Sequence, residues 1–157
     1  MFTCSRLEDT EPLKAAWKPL FERYSVDLVW QGHDHCYNRV PHEAGREASR
    51  LARAGSQVQG PVYMVSVAGS TMYGLNDRTQ RQPDRSAEET QLYQTIDVQG
   101  SSLKVRSYTA AGKLYDAFDL ERDADKRNHL REPVDSLPVA GQVTPQAPDG
   151  RKPYGQA

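Results

Sequence analysis

Large apolar side chains recur at helical spacing early in the chain, and they predict an amphipathic helix over Pro12–Tyr24. We expect this stripe to pack against a sheet. Pro19 lies inside the helix and should kink it, because proline has no N–H to donate to the preceding turn. The stripe consists of Leu13, Trp17, Leu20, Phe21 and Tyr24.

Apolar runs of β-branched and aromatic residues predict buried strands at Val26–Trp30 and Val62–Ala68. Three later segments alternate apolar and polar positions, as half-buried strands do. Turns at Gly100-Ser101 and Ala111-Gly112 separate them, so the sequence predicts an antiparallel meander. Its strands are Leu92–Val98, Leu103–Tyr108 and Leu114–Leu120.

The remaining segments show no periodic pattern. Pro41–Gly60 is polar, and part of it could be helical because Glu47–Ala54 lacks Pro and Gly; Asn76–Glu89 is predicted to be a loop. The tail, Arg122–Ala157, holds five of the ten prolines and few large apolar residues, so we expect it to be irregular or disordered. The fold class is therefore α/β (α+β), with one amphipathic helix and mixed or antiparallel strands. We place one domain at residues 1–120 and the irregular Pro-rich tail at residues 121–157.

Composition excludes some partners. Charged residues make up 26% of the chain and the net charge is −1, so no basic surface for nucleic acid or anionic membrane is indicated. No membrane-spanning segment and no signal peptide are predicted. The two cysteines, Cys4 and Cys36, form no Cys-x-x-Cys motif, and neither their number nor their spacing argues for a disulfide, although one stays open. Compartment and oligomeric state are left open.

The strongest candidate chemistry follows the first predicted strand. Gly32 allows a sharp turn, and His33 and His35 come next, separated by Asp34. In extended backbone, positions i and i+2 project to the same side, so both imidazoles could converge on one ion. Neutral imidazole is the commonest protein ligand for Zn, Fe and similar metals. The sequence therefore predicts a metal site at His33 and His35.

The sequence around these histidines is more specific than their spacing. A cupin barrel, which also uses His-x-His, is excluded because Arg39 and Val40 stand where it needs a Glu. The string Val-Asp-Leu-Val-Trp-Gln-Gly-His-Asp-His-Cys-Tyr-Asn-Arg resembles the last metal-binding motif of calcineurin-like metallophosphoesterases, above all the purple acid phosphatase branch. It departs at Asn38, where that branch usually carries Glu.

The resemblance covers about Phe2–Leu120 and continues beyond the histidines. The string Gly-Pro-Val-Tyr-Met-Val-Ser-Val-Ala-Gly-Ser resembles the strand and turn that follow the metal loop in that branch, and a Tyr-x-x-x-Gly-x-x-x-Asp string ends at Asp116. We assign the second string structure and no chemistry. The resemblance implies the C-terminal half of an α/β/β/α sandwich, with Gly32, Tyr37 and Arg39 supporting the metal loop.

The implied activity is hydrolysis of phosphate esters by two divalent or trivalent ions of the Fe, Zn or Mn type. By position in the motif, His33 would ligate one metal ion and His35 the other. The family's carboxylate motifs, Asp-x-His or Asp-x-Gly, Gly-Asp-x-x-Asp and Gly-Asn-His, do not occur in the sequence. We therefore assign no catalytic residue and no substrate-binding residue, and expect at most a partial site in the isolated chain. The expected partners are a phosphate-ester substrate and a missing N-terminal half, since we read the chain as the C-terminal part of a longer phosphoesterase, begun at an internal Met.

Two other readings stay open. The chain could be a non-catalytic β-rich binding module or fragment, with at most one weak metal site. It could also be a plain structural domain in which Gly-His-Asp-His is a coincidence, although the flanking strings argue against this. An upstream reading frame that encodes the carboxylate motifs would favour the enzyme.

Overall fold

The computed structural model describes residues 3–4, 10–40, 57–58, 60–71, 73–75, 85–88 and 91–133. Within these ranges the chain is mostly β, with one helix, and its class is α+β. No helix in the described ranges combines the length and apolarity needed to cross a bilayer. The elements are α1 (Glu11–Arg23), β1 (Leu28–Gln31), β2 (Tyr37–Val40), β3 (Gln57–Val58), β4 (Val62–Val65), β5 (Arg85–Ala87), β6 (Leu92–Gln99), β7 (Ser102–Thr109), β8 (Leu114–Arg122) and β9 (Asn128–Arg131).

The strands form two sheets. The first has the order β1-β4-β2-β5, in which β1 runs parallel to β4 and the other pairs are antiparallel. The second has the order β3-β9-β8-β7-β6 and is antiparallel throughout. The predicted meander is confirmed as β6, β7 and β8. Its turns contain Gly100 (φ +56°) and Gly112 (φ +79°), backbone conformations that residues with a Cβ rarely adopt.

Both sheets contribute to one apolar core. From the first sheet come Tyr37, Val62 and Met64, and from the second Val105 and Phe118, all fully buried. All four residues of β4 are buried, as its unbroken apolar sequence predicts for a strand covered on both faces. The core therefore lies where β4 meets the middle of the meander.

The helix is confirmed, but the predicted packing of its apolar stripe is wrong. Four of the five stripe residues (Leu13, Trp17, Leu20 and Tyr24) are 42–69% exposed, and no residue of α1 is buried. The half-buried positions are instead Lys14, Lys18 and Phe21. Helical periodicity reports that one face is apolar, but it does not say what covers that face. Among the described elements, nothing covers this one.

Four short strands were not predicted. β2 replaces part of the expected loop, β3 lies in Pro41–Gly60, β5 lies in Asn76–Glu89, and β9 lies in the tail expected to be irregular. The predicted boundary at residue 120 falls inside β8, and pairing of β9 with β8 makes the irregular assignment wrong for residues 128–131. β2 and β5 lack an apolar pattern because each buries an arginine that forms an ion pair. The helix expected at Glu47–Ala54 and residues 134–157 lie outside the described residues.

Candidate metal centre

The two histidines lie in a tight loop between β1 and β2. β1 ends at Gln31 and β2 begins at Tyr37, so the loop occupies residues 32–36. The chain that follows β4 approaches the same loop, because β1 and β4 are parallel and end together. There the Tyr73 N–H donates to the carbonyl of His35 over 2.8 Å. Both candidate ligands therefore lie at the carboxyl ends of two parallel strands, where open α/β sheets commonly bind ligands.

The sharp turn falls on His33 and not, as predicted, on Gly32. His33 has φ +85°, whereas Gly32 is not in the left-handed region. A Cβ placed on Gly32 would meet nothing within 4 Å, so no steric need for glycine exists there. His33 is exposed. Because its backbone is not extended, the i, i+2 argument for convergence of the two rings does not apply directly, and their joint coordination of metal stays a prediction.

His35 is held more firmly than His33. Its half-buried ring stacks on the ring of Tyr73 with centroids 4.6 Å apart and an interplanar angle of 9°. Its Nδ1 is buried and has no hydrogen-bond partner in the described part of the chain. A buried, unpaired ring nitrogen is costly unless something binds it. The orientation of this imidazole and its unpaired nitrogen fit a metal ligand.

Residues on both sides of His35 are tied to the same residue, Cys4. The Asp34 carboxylate accepts a hydrogen bond from the Cys4 N–H, and Cys36 forms a disulfide with Cys4. Both cysteines are fully buried and Asp34 is nearly so. The structure thus answers the question that cysteine spacing left open. The three side chains bring potential ligand atoms within 4.8 Å of one another, but two of those atoms are sulfurs bonded to each other.

Tyr37 and Arg39, expected to support the loop, lie in β2 and bind one carboxylate of the other sheet. The Arg39 guanidinium donates to both oxygens of Asp116, from Nε over 2.8 Å and from Nη2 over 3.1 Å. The Tyr37 hydroxyl donates to Asp116 Oδ2 over 2.7 Å. The Arg85 Nε lies 3.4 Å from Asp116 Oδ1. Glu132 also pairs with Arg39, over 2.5 Å. β2, which directly follows the histidine loop, is therefore anchored to β8.

Burial and neighbouring charges shift the pKa values of Asp116, Tyr37 and Arg39. Burial alone would raise the pKa of Asp116, but the charge and hydrogen bonds of Arg39, with the Tyr37 hydroxyl, hold that pKa below its ordinary value. Burial, followed by the neighbouring Asp116 charge, raises the pKa of Tyr37. Burial opposes the charge on Arg39, yet Asp116 and Glu132 raise its pKa overall. At neutral pH the cluster is an ion pair joined by a neutral phenol.

The described residues contain few side chains that could complete a metal site at the histidine loop. Among them, Cys4, Asp34 and Cys36 are the only group of three or more His, Cys, Asp or Glu side chains with ligand atoms close together. No third described side chain of these types joins His33 and His35. His42 and Glu43, which follow β2, lie outside the described residues. A di-metal centre needs carboxylates to offset four or more positive charges. These two imidazoles alone would therefore be an incomplete ligand set for such a centre.

Sequence reasoning missed two supporting residues. The sequence assigns no role to Tyr73, and it does not indicate that Cys4 contacts the histidine loop. A stacking tyrosine 38 positions after its histidine leaves no local pattern, because the contact depends on how β1 and β4 pair. Asp116 was assigned a structural role, and its contacts are of that kind.

Comparison with known proteins gives a partial answer. The chain is 33% identical over 81 residues to a purple acid phosphatase of Glycine max. The aligned region covers 49% of this chain and 18% of that protein. It is 35% identical over 81 residues to purple acid phosphatase 1 of Ipomoea batatas, covering 49% of this chain and 17% of that protein. This chain is similar in part to purple acid phosphatases. The similarity is distant and spans less than a fifth of each relative. No family model and no solved structure matches.

Proposed function

We propose that this chain contributes His33 and His35 to a metal-dependent phosphoesterase of the purple acid phosphatase type. The observation that carries the proposal is the loop at the end of β1, in which His35 is stacked on Tyr73 and keeps an unpaired ring nitrogen. The partial similarity to two purple acid phosphatases supports the same reading.

The residues of this chain would bind and orient. When bound, two ions of the Fe, Zn or Mn type supply Lewis-acid activation of a phosphate ester and of the attacking water. His33 and His35 act as neutral nitrogen donors, one to each ion. Tyr73 fixes the plane of the His35 ring, and the Asp116 cluster fixes β2 behind the loop. Orientation of ligand side chains by their neighbours commonly tunes metal affinity.

The carboxylates of such a centre would come from a further polypeptide segment, the N-terminal half of the domain. Two surfaces support a partner of this kind. Among the described strands β1 is at the edge of its sheet, with only β4 beside it. Four of the five residues in the apolar stripe of α1 are exposed, as is Trp30 of β1. Exposed aromatic residues on a helix and on an edge strand are features that proteins usually cover.

The first test is metal content of the purified chain by elemental analysis, together with phosphatase activity on an aryl phosphate. We expect at most one weakly held ion, which is lost in at least one of His33→Ala and His35→Ala, and no turnover by the chain alone. His129→Ala is the matched control, because His129 lies in β9 of the second sheet and pairs with Asp123 there, away from the histidine loop. Metal content unchanged in both loop variants would contradict the ligand assignment, and two ions with turnover would contradict the need for a second segment.

A second candidate is a β-rich binding module with a single weak metal site and no catalysis. It is favoured by the lack of a third ligand near His33 and His35 among the described residues. Supplying a carboxylate-bearing N-terminal half of a purple acid phosphatase separates the two. The enzyme gains activity that depends on His33 and His35, whereas the module does not.

A further inference from the structure

Two separate tethers bracket His35, and both lead to Cys4. On one side the Asp34 carboxylate accepts the hydrogen bond from the Cys4 N–H, and on the other Cys36 is bonded to Cys4 through sulfur. All three tethering residues are buried. His35 lies between them in the chain, so its backbone is restrained immediately before and immediately after the ring-bearing residue.

The third restraint acts on the ring itself. Tyr73 stacks on the imidazole and donates its N–H to the His35 carbonyl. Tyr73 is itself 43% exposed, so it is not enclosed by a rigid core and cannot by itself fix the position of the loop. The rigid part of the assembly is the Cys4 clasp, which we define as Cys4, Asp34 and Cys36.

We propose that Cys4 is a positioning residue for His35 and that its disulfide makes metal binding by this loop redox-dependent. The proposal rests on the proposed function, in which His35 is a metal ligand. In the oxidised state the clasp holds His35 against Tyr73, so coordination costs little conformational entropy. In the reduced state residue 36 is released, and metal binding must then order the loop.

The redox step needs a reductant of the dithiol or phosphine class. A dithiol delivers two electrons and two protons to the Cys4 and Cys36 sulfurs. The Sγ–Sγ bond breaks, two thiols form, and the dithiol becomes a disulfide. With a phosphine, water supplies the oxygen of the resulting phosphine oxide and the two protons of the thiols. Because both sulfurs are fully buried, reduction requires the segment around Cys4 to open locally.

The test uses Co²⁺ as the probe, because its absorption spectrum distinguishes nitrogen and oxygen ligands from thiolates. The full chain is titrated in the oxidised state, and again after phosphine reduction and anaerobic removal of the phosphine. We expect reduction to weaken Co²⁺ binding about 10-fold or more, within the range seen when groups that orient a ligand are lost. A double variant, Cys4→Ser with Cys36→Ser, should bind as weakly as the reduced chain and should not respond to the reductant.

Two results would overturn the proposal. One is equal affinity in the oxidised and reduced chains. The other is tight binding by the reduced chain with thiolate-to-cobalt charge-transfer bands, because the sulfurs would then be ligands and not positioning groups.

Far-UV circular dichroism shows whether reduction unfolds the chain. If it does, a variant that keeps the disulfide still tests the proposal. Asp34→Ala removes the second tether, and we expect weaker Co²⁺ binding, whereas Asp34→Asn keeps an oxygen acceptor and should restore most of the affinity. Unchanged affinity in Asp34→Ala would overturn the proposal. His35→Ala in the oxidised chain tests the proposed function separately. If that variant loses nothing, the ligand assignment itself fails; if it loses binding while the clasp variants do not, only the clasp fails.

Discussion

Asp116 receives hydrogen bonds from two side chains of the opposite sheet while it is fully buried. Three basic or phenolic groups surround it (Tyr37, Arg39 and Arg85), and Glu132 forms a second ion pair with Arg39. The Arg39 guanidinium also lies over the ring of Phe118, 5.0 Å from its centroid. A buried charge is tolerated only when it is paired in this way. The cluster is therefore a required link between β2 and β8.

Removing the carboxylate charge should be costly because it leaves Arg39 buried with less compensation. We predict that Asp116→Asn lowers the free energy of unfolding by about 3–5 kcal/mol, measured by urea denaturation. The matched control on the same strand is Asp119→Asn, which breaks a partly exposed pair with Arg106. That variant should lose less than about 1 kcal/mol. Equal losses in the two variants would contradict the linking role of Asp116.

The lowered pKa of Asp116 predicts that the chain loses stability in acid. Because the folded-state pKa lies below the unfolded value of about 3.9, the carboxylate contributes its full stabilisation above that pH. The contribution is lost as the pH falls through the folded-state pKa. We predict that the wild-type chain loses stability below about pH 4 more steeply than Asp116→Asn does. Denaturation midpoints measured from pH 2 to pH 7 would show it, and parallel curves would contradict it.

His33 has a left-handed backbone, so substitutions at this position can change stability and metal binding separately. A Cβ in that conformation costs about 1–2 kcal/mol, whereas glycine avoids the cost. We predict that His33→Gly is more stable than His33→Ala by about 1 kcal/mol. Both variants should bind Co²⁺ equally weakly, because neither carries an imidazole. Equal stability of the two variants in thermal denaturation would show that the backbone relaxes at this position.

At the level of elements, both tryptophans are exposed. Trp17 on α1 is 50% exposed, and Trp30 on β1 is 49% exposed. Trp17 contacts Phe21 on its own helix, with ring centroids 5.9 Å apart. These residues are the kind that dominate protein interfaces.

The exposure of both tryptophans predicts a spectroscopic outcome. Native fluorescence should be emitted at long wavelength, be strongly quenched by acrylamide, and change little on unfolding. Trp17→Ala should alter stability by less than about 0.5 kcal/mol, whereas Phe118→Ala, in the core, should cost about 3–5 kcal/mol. Addition of a polypeptide that covers these tryptophans should shift the emission to shorter wavelength. Strong protection of both tryptophans in the isolated chain would contradict their exposure.

The elements that could be predicted from sequence are those with a repeating apolar pattern. α1, β4 and the meander all bury or group their apolar residues periodically, so their existence followed from the spacing. β2 and β5 could not be found this way, because their buried side chains include Arg39 and Arg85. Both arginines pair with Asp116, which lies 77 residues from Arg39 in the sequence. The histidine loop was found from its motif, but the clasp that holds it depends on a contact over 30 residues.

The disulfide joins Cys4 to the histidine loop across 32 residues. The segment that it closes contains α1 and β1. In the chain-entropy view, closing a loop of that length stabilises the folded state by about 3–4 kcal/mol. We predict that the Cys4→Ser, Cys36→Ser double variant loses about that much free energy of unfolding, with the loss matched by reduction of the wild-type chain. The double variant should show no further loss when a reductant is added. Since α1 buries none of its residues, packing of this helix cannot replace the restraint that is lost when the disulfide is removed. A loss below about 1 kcal/mol would mean that the segment from Cys4 to Cys36 retains its order in the unfolded state, so the cross-link removes little entropy from it.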